Sequence, residues 1–533
     1  MTATPDAFPI HRALPYFAAA IVLALSQGLA QGFVSTNLPQ FAGDLGSTTT
    51  EASWLMAAYM VPRASLPIML VKIRTQYGLR RFAEIGVALY VIVAFISVWV
   101  EDLRSAIVVQ FLSGVASAPL STLAFLYMIE PLSPQWKMRL GLPMALLFLM
   151  NAPSLARVIS PALIGDGGLT AVHLTALGMA MCSVALVFLL PLRPVPHQKV
   201  IQKLDFVSFA LIAFGFGGIT IGFLMGPIHW WTDAGWIGLL LAGSVLSLAL
   251  AVAIELRRET PLVDIRWICS PAILHLAVTL FLFRLVLSEQ STGAPRLFQA
   301  LGMGPQQLVP LFVVICIACV MGALACTAWM KPQRLPMMHL VALILIAAGA
   351  LMDAHSSIDT RPEQMIVSQA LIGFAGMLFM PPAMVAGLTA ALAKGPTYLL
   401  SFIIVFLSTQ SLGGVVGSGL FTTLVNHRQA LHLQILNEQV QPTDPATMAA
   451  IAARTAALAP QIGDGAMRRA QAMALIAQDT SNQAYVLAYN DAYFITFLIA
   501  CAAAAALLLH LLRDWLVARM PGAPTTPAPE AAK

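Results

Sequence analysis

Charge is scarce in this chain. Of its 533 residues only 10% are Asp, Glu, Lys or Arg, against about 25% in soluble proteins. Hydrophobic residues make up 59%. A soluble fold of this length cannot hide so much apolar surface, because burial saturates and long chains split into domains. The net charge of +5 is small and spread over many short loops, so it does not indicate nucleic acid. There is no Walker loop, no HExxH, no nucleophile elbow and no carboxylate cluster. The sequence therefore predicts no enzyme, no metal and no cofactor. Cysteine is missing from the loops. Cys182, Cys269, Cys316, Cys319, Cys326 and Cys501 all lie in or beside apolar runs, so no disulfide is implied. Cys316 and Cys319 form a CxxC inside VPLFVVICIACVMGALAC, where small packing residues are the simpler reading than redox or metal chemistry.

What is present instead is a long series of apolar runs. A membrane span needs about 20 such residues. Fourteen runs qualify, the first at 14–37 and the last at 488–511, with two at 205–226 and 235–255 near the middle. Short alternating segments, the mark of a barrel, are missing. The fold class predicted is an all-α polytopic membrane protein. Lysine and arginine gather in alternate loops, at Lys72, Arg74, Arg80, Arg81, Lys137, Arg139, Arg193, Lys199, Lys203, Arg257 and Arg258 among others. The intervening short loops hold only Arg104, Arg296 and Arg361. By the positive-inside rule both termini are expected in the cytoplasm. The first run, which follows Arg12, is longer than a signal-peptide core and reads as a retained span.

One segment between spans, about 427–487, is long. DPATMAAIAARTAALA opens with Asp444 as N-cap and Pro445 at the first helical position. DGAMRRAQAMALIAQ repeats the plan from Asp464. Both read as short helices outside the membrane, either a cap over the bundle or a docking surface. The tail PGAPTTPAPEAAK has a disordered composition.

Several stretches carry a family resemblance. They are STNLPQFAGDLGSTTTEASW (35–54), YGLRR (77–81), SGVASAPLSTLAFL (113–126), SPALIG (160–165), QALIGFAGMLFMPP (369–382), QSLGGVVGSGL (410–420) and SNQAYVLAYNDAYF (481–494). In order and spacing the chain resembles the fourteen-span drug:proton antiporters of the EmrB/QacA type, within the major facilitator superfamily. The resemblance implies two six-helix bundles that rock about a central site, plus two extra helices. The expected divisions are an N-terminal segment 1–13, a first bundle 14–191, a linker with the extra helices 192–268, a second bundle 269–512 that includes the loop 427–487, and a disordered tail 513–533. It also implies motif roles for Gly78, Arg80 and Arg81 in a loop motif, and for Ser160, Pro161 and Gly165 in the antiporter motif. Ser160–Pro161 leaves a backbone carbonyl without its helical donor, which permits a bend.

The departures from the family are as informative. Ala30 stands where the family usually has an aspartate. Gln110 and Gln410 stand where it usually has arginines, and Thr75 and Gln76 replace an Asp-Arg pair. The usual coupling charges are missing. Other charges lie deep in the spans: Arg63 inside YMVPRASLPIML, Arg157, Arg284 and Glu289. An arginine at mid-bilayer costs roughly 3 kcal/mol on insertion scales, so such groups face other helices or a wet cavity. Structural pairing is one reading. The other is a cationic site, because Glu289 is the one deep carboxylate visible near three arginines. Arginine's planar fork binds carboxylates in bidentate fashion. Arg63, Arg157, Arg284, Glu289, Gln110, Asn151 and Gln410 are accordingly the substrate-binding or coupling candidates, with Glu289 as proton carrier. Trp54 is expected to anchor at the membrane interface.

The function expected is a secondary transporter of the inner membrane that expels small amphipathic or anionic organic compounds against protons. The resemblance alone implies a periplasmic adaptor and an outer-membrane channel as partners. The alternatives are an importer or uniporter of an organic acid on the same fold, and a non-transporting sensor or assembly subunit.

Overall fold

The computed structural model describes residues 8–193, 198–395, 398–441 and 443–519. Among these, fourteen helices are long and apolar enough to cross a membrane. They are α1 (Ile10–Thr36), α2 (Thr49–Tyr77), α3 (Leu79–Trp99), α4 (Leu103–Ile129), α5 (Pro134–Gly165), α6 (Gly168–Leu189), α7 (Lys203–His229), α8 (Gly235–Glu255), α9 (Pro271–Ala300), α10 (Pro305–Trp329), α11 (Pro332–Asp353), α12 (Pro362–Lys394), α13 (Ser401–Gln439) and α14 (Gly465–Arg513). An even number of crossings puts both ends of the chain on one face, called here the termini face.

The helices α1 to α6 pack chiefly on one another, as do α9 to α14. Lipid tails are as apolar as leucine, so helices in a bilayer are held by close packing rather than by hydrophobic burial. The tightest seam joins α1 to α5: a Cβ on Gly28 would collide with Ala152, and one on Gly32 with Ala156. The pair α7–α8 sits outside both bundles. It bridges α2, where Gly217 meets Val61, and α13, where Gly419 meets the Phe223 backbone.

The family-like stretches have local structural reasons. In 35–54 a short helix, Leu38–Asp44, is followed by a left-handed turn at Gly46 and then by Thr48. Thr48 caps α2 in a reciprocal box: its hydroxyl accepts from the Glu51 amide at 3.2 Å, and the Glu51 carboxylate accepts from the Thr48 amide at 2.9 Å. In 77–81, Gly78 has φ of 83° at the α2–α3 joint, a conformation that L side chains avoid. Arg80 makes an exposed i,i+4 pair with Glu84 at 2.8 Å, and Arg81 is exposed. In 160–165, Ser160 is buried and accepts from the Asn37 side chain, which fastens α5 to the end of α1. Gly165 has open space around it at the turn into α6. Trp54 is half-buried and stacks on Trp236 of α8 at 6.0 Å, so it helps to hold the extra pair of helices.

Beyond the apolar segment, α13 continues as helix to Gln439. The expected helix after Asp444 forms at Pro445–Ala457, capped by Asp444, whose carboxylate accepts from the Thr447 amide at 3.0 Å. The stretch from Asp464 differs from expectation. It is not a separate short helix but the start of one continuous helix, Gly465–Arg519, that runs into the last span. Nothing between Gly465 and the apolar run breaks helical geometry: the segment is rich in Ala, Met, Gln and Arg and has no proline. Residues 513–519 are helical too, and the rest of the expected tail lies outside the described residues.

Candidate functional site

Arg63 lies at the middle of α2, 14 residues from either end, or about 21 Å at 1.5 Å per residue. Its neighbours are prolines for a physical reason. Pro67 has no amide hydrogen to offer the carbonyl four residues back, which is that of Arg63 itself. Pro62 does the same to Ala58. The helix is thus polar in its backbone where it is charged in its side chain. The guanidinium donates to the side-chain carbonyl of Gln31 on α1 and lies 5.7 Å from the Tyr59 ring centre. Tyr59 donates to the Gln27 carbonyl at 3.2 Å. Gln27 is fully buried, and both polar atoms of its side chain lack a partner.

Arg284 is the deep arginine of the other bundle. It sits on α9 over a pair of glycines on α13: a Cβ on Gly414 would come within 2.7 Å of the guanidinium, and one on Gly413 within 3.0 Å of the Arg284 Cβ. The two glycines make room for the side chain. Its Nε is buried without a partner. Gln410, one helical turn before those glycines, is buried with both amide atoms unpartnered. Arg63 and Arg284 lie within electrostatic reach of each other. Neither has a carboxylate partner among the described residues. Two cations, one from each bundle, therefore lie at mid-depth without an acid partner, and Gln27 and Gln410 carry unsatisfied amides nearby on α1 and α13.

The other predicted residues fall elsewhere. Arg157 on α5 crosses to the second bundle higher up, away from the termini face. It donates to the Ser291 carbonyl at 3.4 Å and lies 5.0 Å from the Phe312 ring centre. Asn151, two turns below, donates weakly to the Cys316 carbonyl on α10 at 3.5 Å, while its side-chain oxygen is buried and unpartnered. At the termini face Arg139 donates to the Thr327 and Ala328 carbonyls at 3.0 and 3.2 Å. Arg139, Asn151 and Arg157 thus lace α5 to α9 and α10 from one face towards the other. Gln110 lines a separate pocket inside the first bundle with Asp44, Leu55, Ser97 and His173.

Glu289 does not join the arginines. Five residues at about 100° each place it roughly 140° around α9 from Arg284, and a π-helical turn, Glu289–Gly293, begins at this residue. Its carboxyl is buried, and both of its oxygens lack a hydrogen-bond partner. Glu289 is not the one deep carboxylate, contrary to expectation: Asp353, at the end of α11, is 2% exposed and accepts from the Ser368 hydroxyl and the Gln369 side-chain amide on α12. Closeness to the end of a helix in sequence hid its depth, because α12 and α14 cover that end.

A further buried cluster was not foreseen. At the termini face Asp205 of α7 accepts from Lys72 at 2.8 Å and from Arg258 at 2.6 Å. Arg258 also donates to Glu255 at 2.8 Å. Glu255 accepts in addition from the Ser208 hydroxyl and from the Leu262 and Val263 amides. These residues stand at helix ends in sequence, where charges usually meet water. The one available signal was the spacing of opposite charges across the ends of α7 and α8.

No family model matches the chain. Relatives do. The multidrug export protein EmrB of Escherichia coli is 23% identical over 497 residues, covering 88% of this chain and 90% of that protein. The EmrB of Haemophilus influenzae is 23% identical over 514 residues, with 89% and 92% covered. An MFS-type transporter of Bacillus subtilis, YhcA, is 20% identical over 427 residues, with 78% and 77% covered. Among solved structures, the human organic anion transporter MFSD10 superposes with a TM-score of 0.56 at 12% identity, over 92% of this chain and 99% of that one. The POT family transporter PepTSo does so with 0.50 at 12%, over 91% and 98%. The chain is therefore a multi-pass membrane transporter, not an enzyme, with the major facilitator fold and a sequence similar along most of its length to the EmrB-type exporters.

Proposed function

We propose that this chain is a proton-coupled exporter of small amphipathic organic anions. It would sit in the inner membrane with both termini in the cytoplasm, as the basic loops of the termini face favour. The observation that carries the reading is a pair of deep guanidiniums, Arg63 on α2 and Arg284 on α9, neither of which has a carboxylate partner among the described residues. Like charges held together at mid-membrane are unfavourable unless an anion occupies the space, and an organic carboxylate or sulfonate presents the matching acceptors. Gln27 and Gln410 supply further donors whose hydrogen bonds are unfilled. Rocking of one bundle against the other would then separate the two arginines and release the anion. Relatives named multidrug exporters support export as the direction.

Inverted membrane vesicles acidified inside by respiration provide the test. Uptake of a permanently charged aromatic anion such as 4-sulfobenzoate should exceed that of vesicles lacking the protein. It should collapse with an uncoupler and fall at least tenfold in Arg284→Gln. Uptake of aromatic cations with equal or greater efficiency, unchanged in Arg284→Gln, would refute the anion assignment. The replacement of family charges at Ala30 and Gln110 favours a second reading, an importer or uniporter of an organic acid. Flux that persists downhill with an uncoupler present would select it. The helical projection formed by the far end of α13, Pro445–Ala457 and the start of α14 is the surface we assign to a periplasmic adaptor leading to an outer-membrane channel, by similarity to the EmrB-type exporters.

A further inference from the structure

We infer that Gln31 is a positioning residue of the anion site: it fixes the Arg63 guanidinium without cancelling its charge, and so leaves that part of the site with N–H donors for an anion. The inference rests on the anion reading above and deepens it, by naming the residue through which Arg63 is set.

Helices α1 and α4 together seat Arg63 on α2. On α4, Gly114 lies against the turn of α2 that precedes Arg63. A Cβ there would collide with the Tyr59 carbonyl oxygen and come within 2.7 Å of Pro62 Cγ. Only glycine lets the two helices approach so closely. Gly114 belongs to the family-like stretch 113–126, and this contact is a local reason for it. On α1, the Gln27 carbonyl accepts from the Tyr59 hydroxyl at 3.2 Å, and Tyr59 is 2% exposed. The backbone and the ring beside Arg63 are therefore fixed independently of the guanidinium.

Gln31 then places the guanidinium. Its side-chain oxygen accepts from Arg63. Consecutive spans run in opposite directions, so a residue one turn further along α2 lies nearer the termini face, and one turn further along α1 lies farther from it. Tyr59 meets Gln27, yet Arg63, a turn beyond Tyr59, meets Gln31, a turn beyond Gln27. The guanidinium is thus drawn back towards Tyr59, to 5.7 Å from the ring centre, where the ring face attracts a cation. An arginine that snorkels would stretch out towards water instead.

The chemistry of the contact sets what the site can bind. A guanidinium has no acceptor, so the amide must turn its oxygen towards it. What Gln31 can then offer a ligand is its amide hydrogens, alongside the guanidinium N–H groups that it does not use. Arg63 and Gln31 are both half-buried, so the pair is not sealed off. A carboxylate or sulfonate accepts hydrogen bonds and suits both residues, whereas a cation meets a positive charge. An acid in place of Gln31 would orient Arg63 as well, but it would neutralise it. Among the described residues no acid pairs with Arg63.

The test is a double-mutant cycle on equilibrium binding of 4-sulfobenzoate to the purified full-length transporter. Gln31→Leu should weaken binding roughly tenfold, the scale of one charge-assisted hydrogen bond. In an Arg63→Gln background the same change should alter affinity by less than about twofold, because no guanidinium is left to place. A merely structural role would cost as much with Arg63 as without it. Gln31→Met, which keeps the length of the side chain, replaces Gln31→Leu in the cycle if that variant does not fold. Gln31→Glu should weaken binding at least as much as Gln31→Leu, with a melting temperature in detergent no lower than that of the wild type. Binding that Gln31→Leu or Gln31→Glu leaves unchanged, or that Gln31→Leu lowers equally with and without Arg63, overturns the inference. If Arg63→Gln alone still weakens binding in that case, the anion reading stands. A wild type that binds aromatic cations and not 4-sulfobenzoate removes the anion reading, and this inference with it.

Discussion

Two groups of buried charge in this protein are built on opposite plans. At the termini face, Lys72, Asp205, Glu255 and Arg258 neutralise one another, and backbone amides fill much of what remains. At mid-depth, Arg63 and Arg284 each lack an acid partner, and Gln27 and Gln410 have side-chain amides that bond to nothing. The first group is balanced in charge, although the Arg258 Nε is left without a partner, and it ties α7–α8 to the end of α2. The second is complete only with something added. Burying charge is costly in either case, and we propose that the first cluster serves structure and the second a ligand.

The sharpest way to break the comparison is to remove one member of the closed cluster. Asp205→Ala leaves Arg258 and Lys72 without their shared acceptor, and breaking a buried pair costs about 3–5 kcal/mol. The melting temperature in detergent should fall clearly, while transport per folded molecule changes little. Next in size, Arg284→Gln should reduce anion affinity or flux by roughly 100-fold, the ~3 kcal/mol of a charge-assisted hydrogen bond, with an unchanged melting temperature. An equal loss of stability in both variants would erase the distinction between the clusters. A smaller effect is expected from Gly414→Ala, whose methyl would press on the Arg284 guanidinium. Displacing a long side chain by less than an ångström should weaken anion binding severalfold, visible as a raised half-saturation constant. Thr48→Ala removes the cap of α2 and should cost about 1 kcal/mol of stability without altering substrate affinity. Arg80→Ala, in an exposed pair, should stay within about 0.5 kcal/mol of wild type in a thermal melt.

The helices and their order were legible in the sequence because membrane spans must be long, apolar and internally hydrogen-bonded. The deep arginines were legible for the same reason: in such a background a charge cannot be incidental. Which groups meet was not legible. Arg63 and Arg284 are far apart in the chain, and their helices α2 and α9 are related only through α13, on which both pack. Asp353 looked like a residue at a span end, yet α12 and α14 fold over it and turn an end into an interior. Gln110 resembled a member of the central site by its place in a motif, and it lines a pocket within the first bundle instead. Position along a span reports depth, but it does not report which neighbouring helix covers the residue.

The most direct measurement is equilibrium binding of 4-sulfobenzoate to the purified transporter, in the wild type and in Arg63→Gln, Arg284→Gln and Asp205→Asn. A central site made by two opposed arginines predicts that either central substitution weakens binding at least tenfold and that Asp205→Asn leaves it unchanged. Equal affinity in all four proteins, or no binding by the wild type while an organic cation binds, would contradict it.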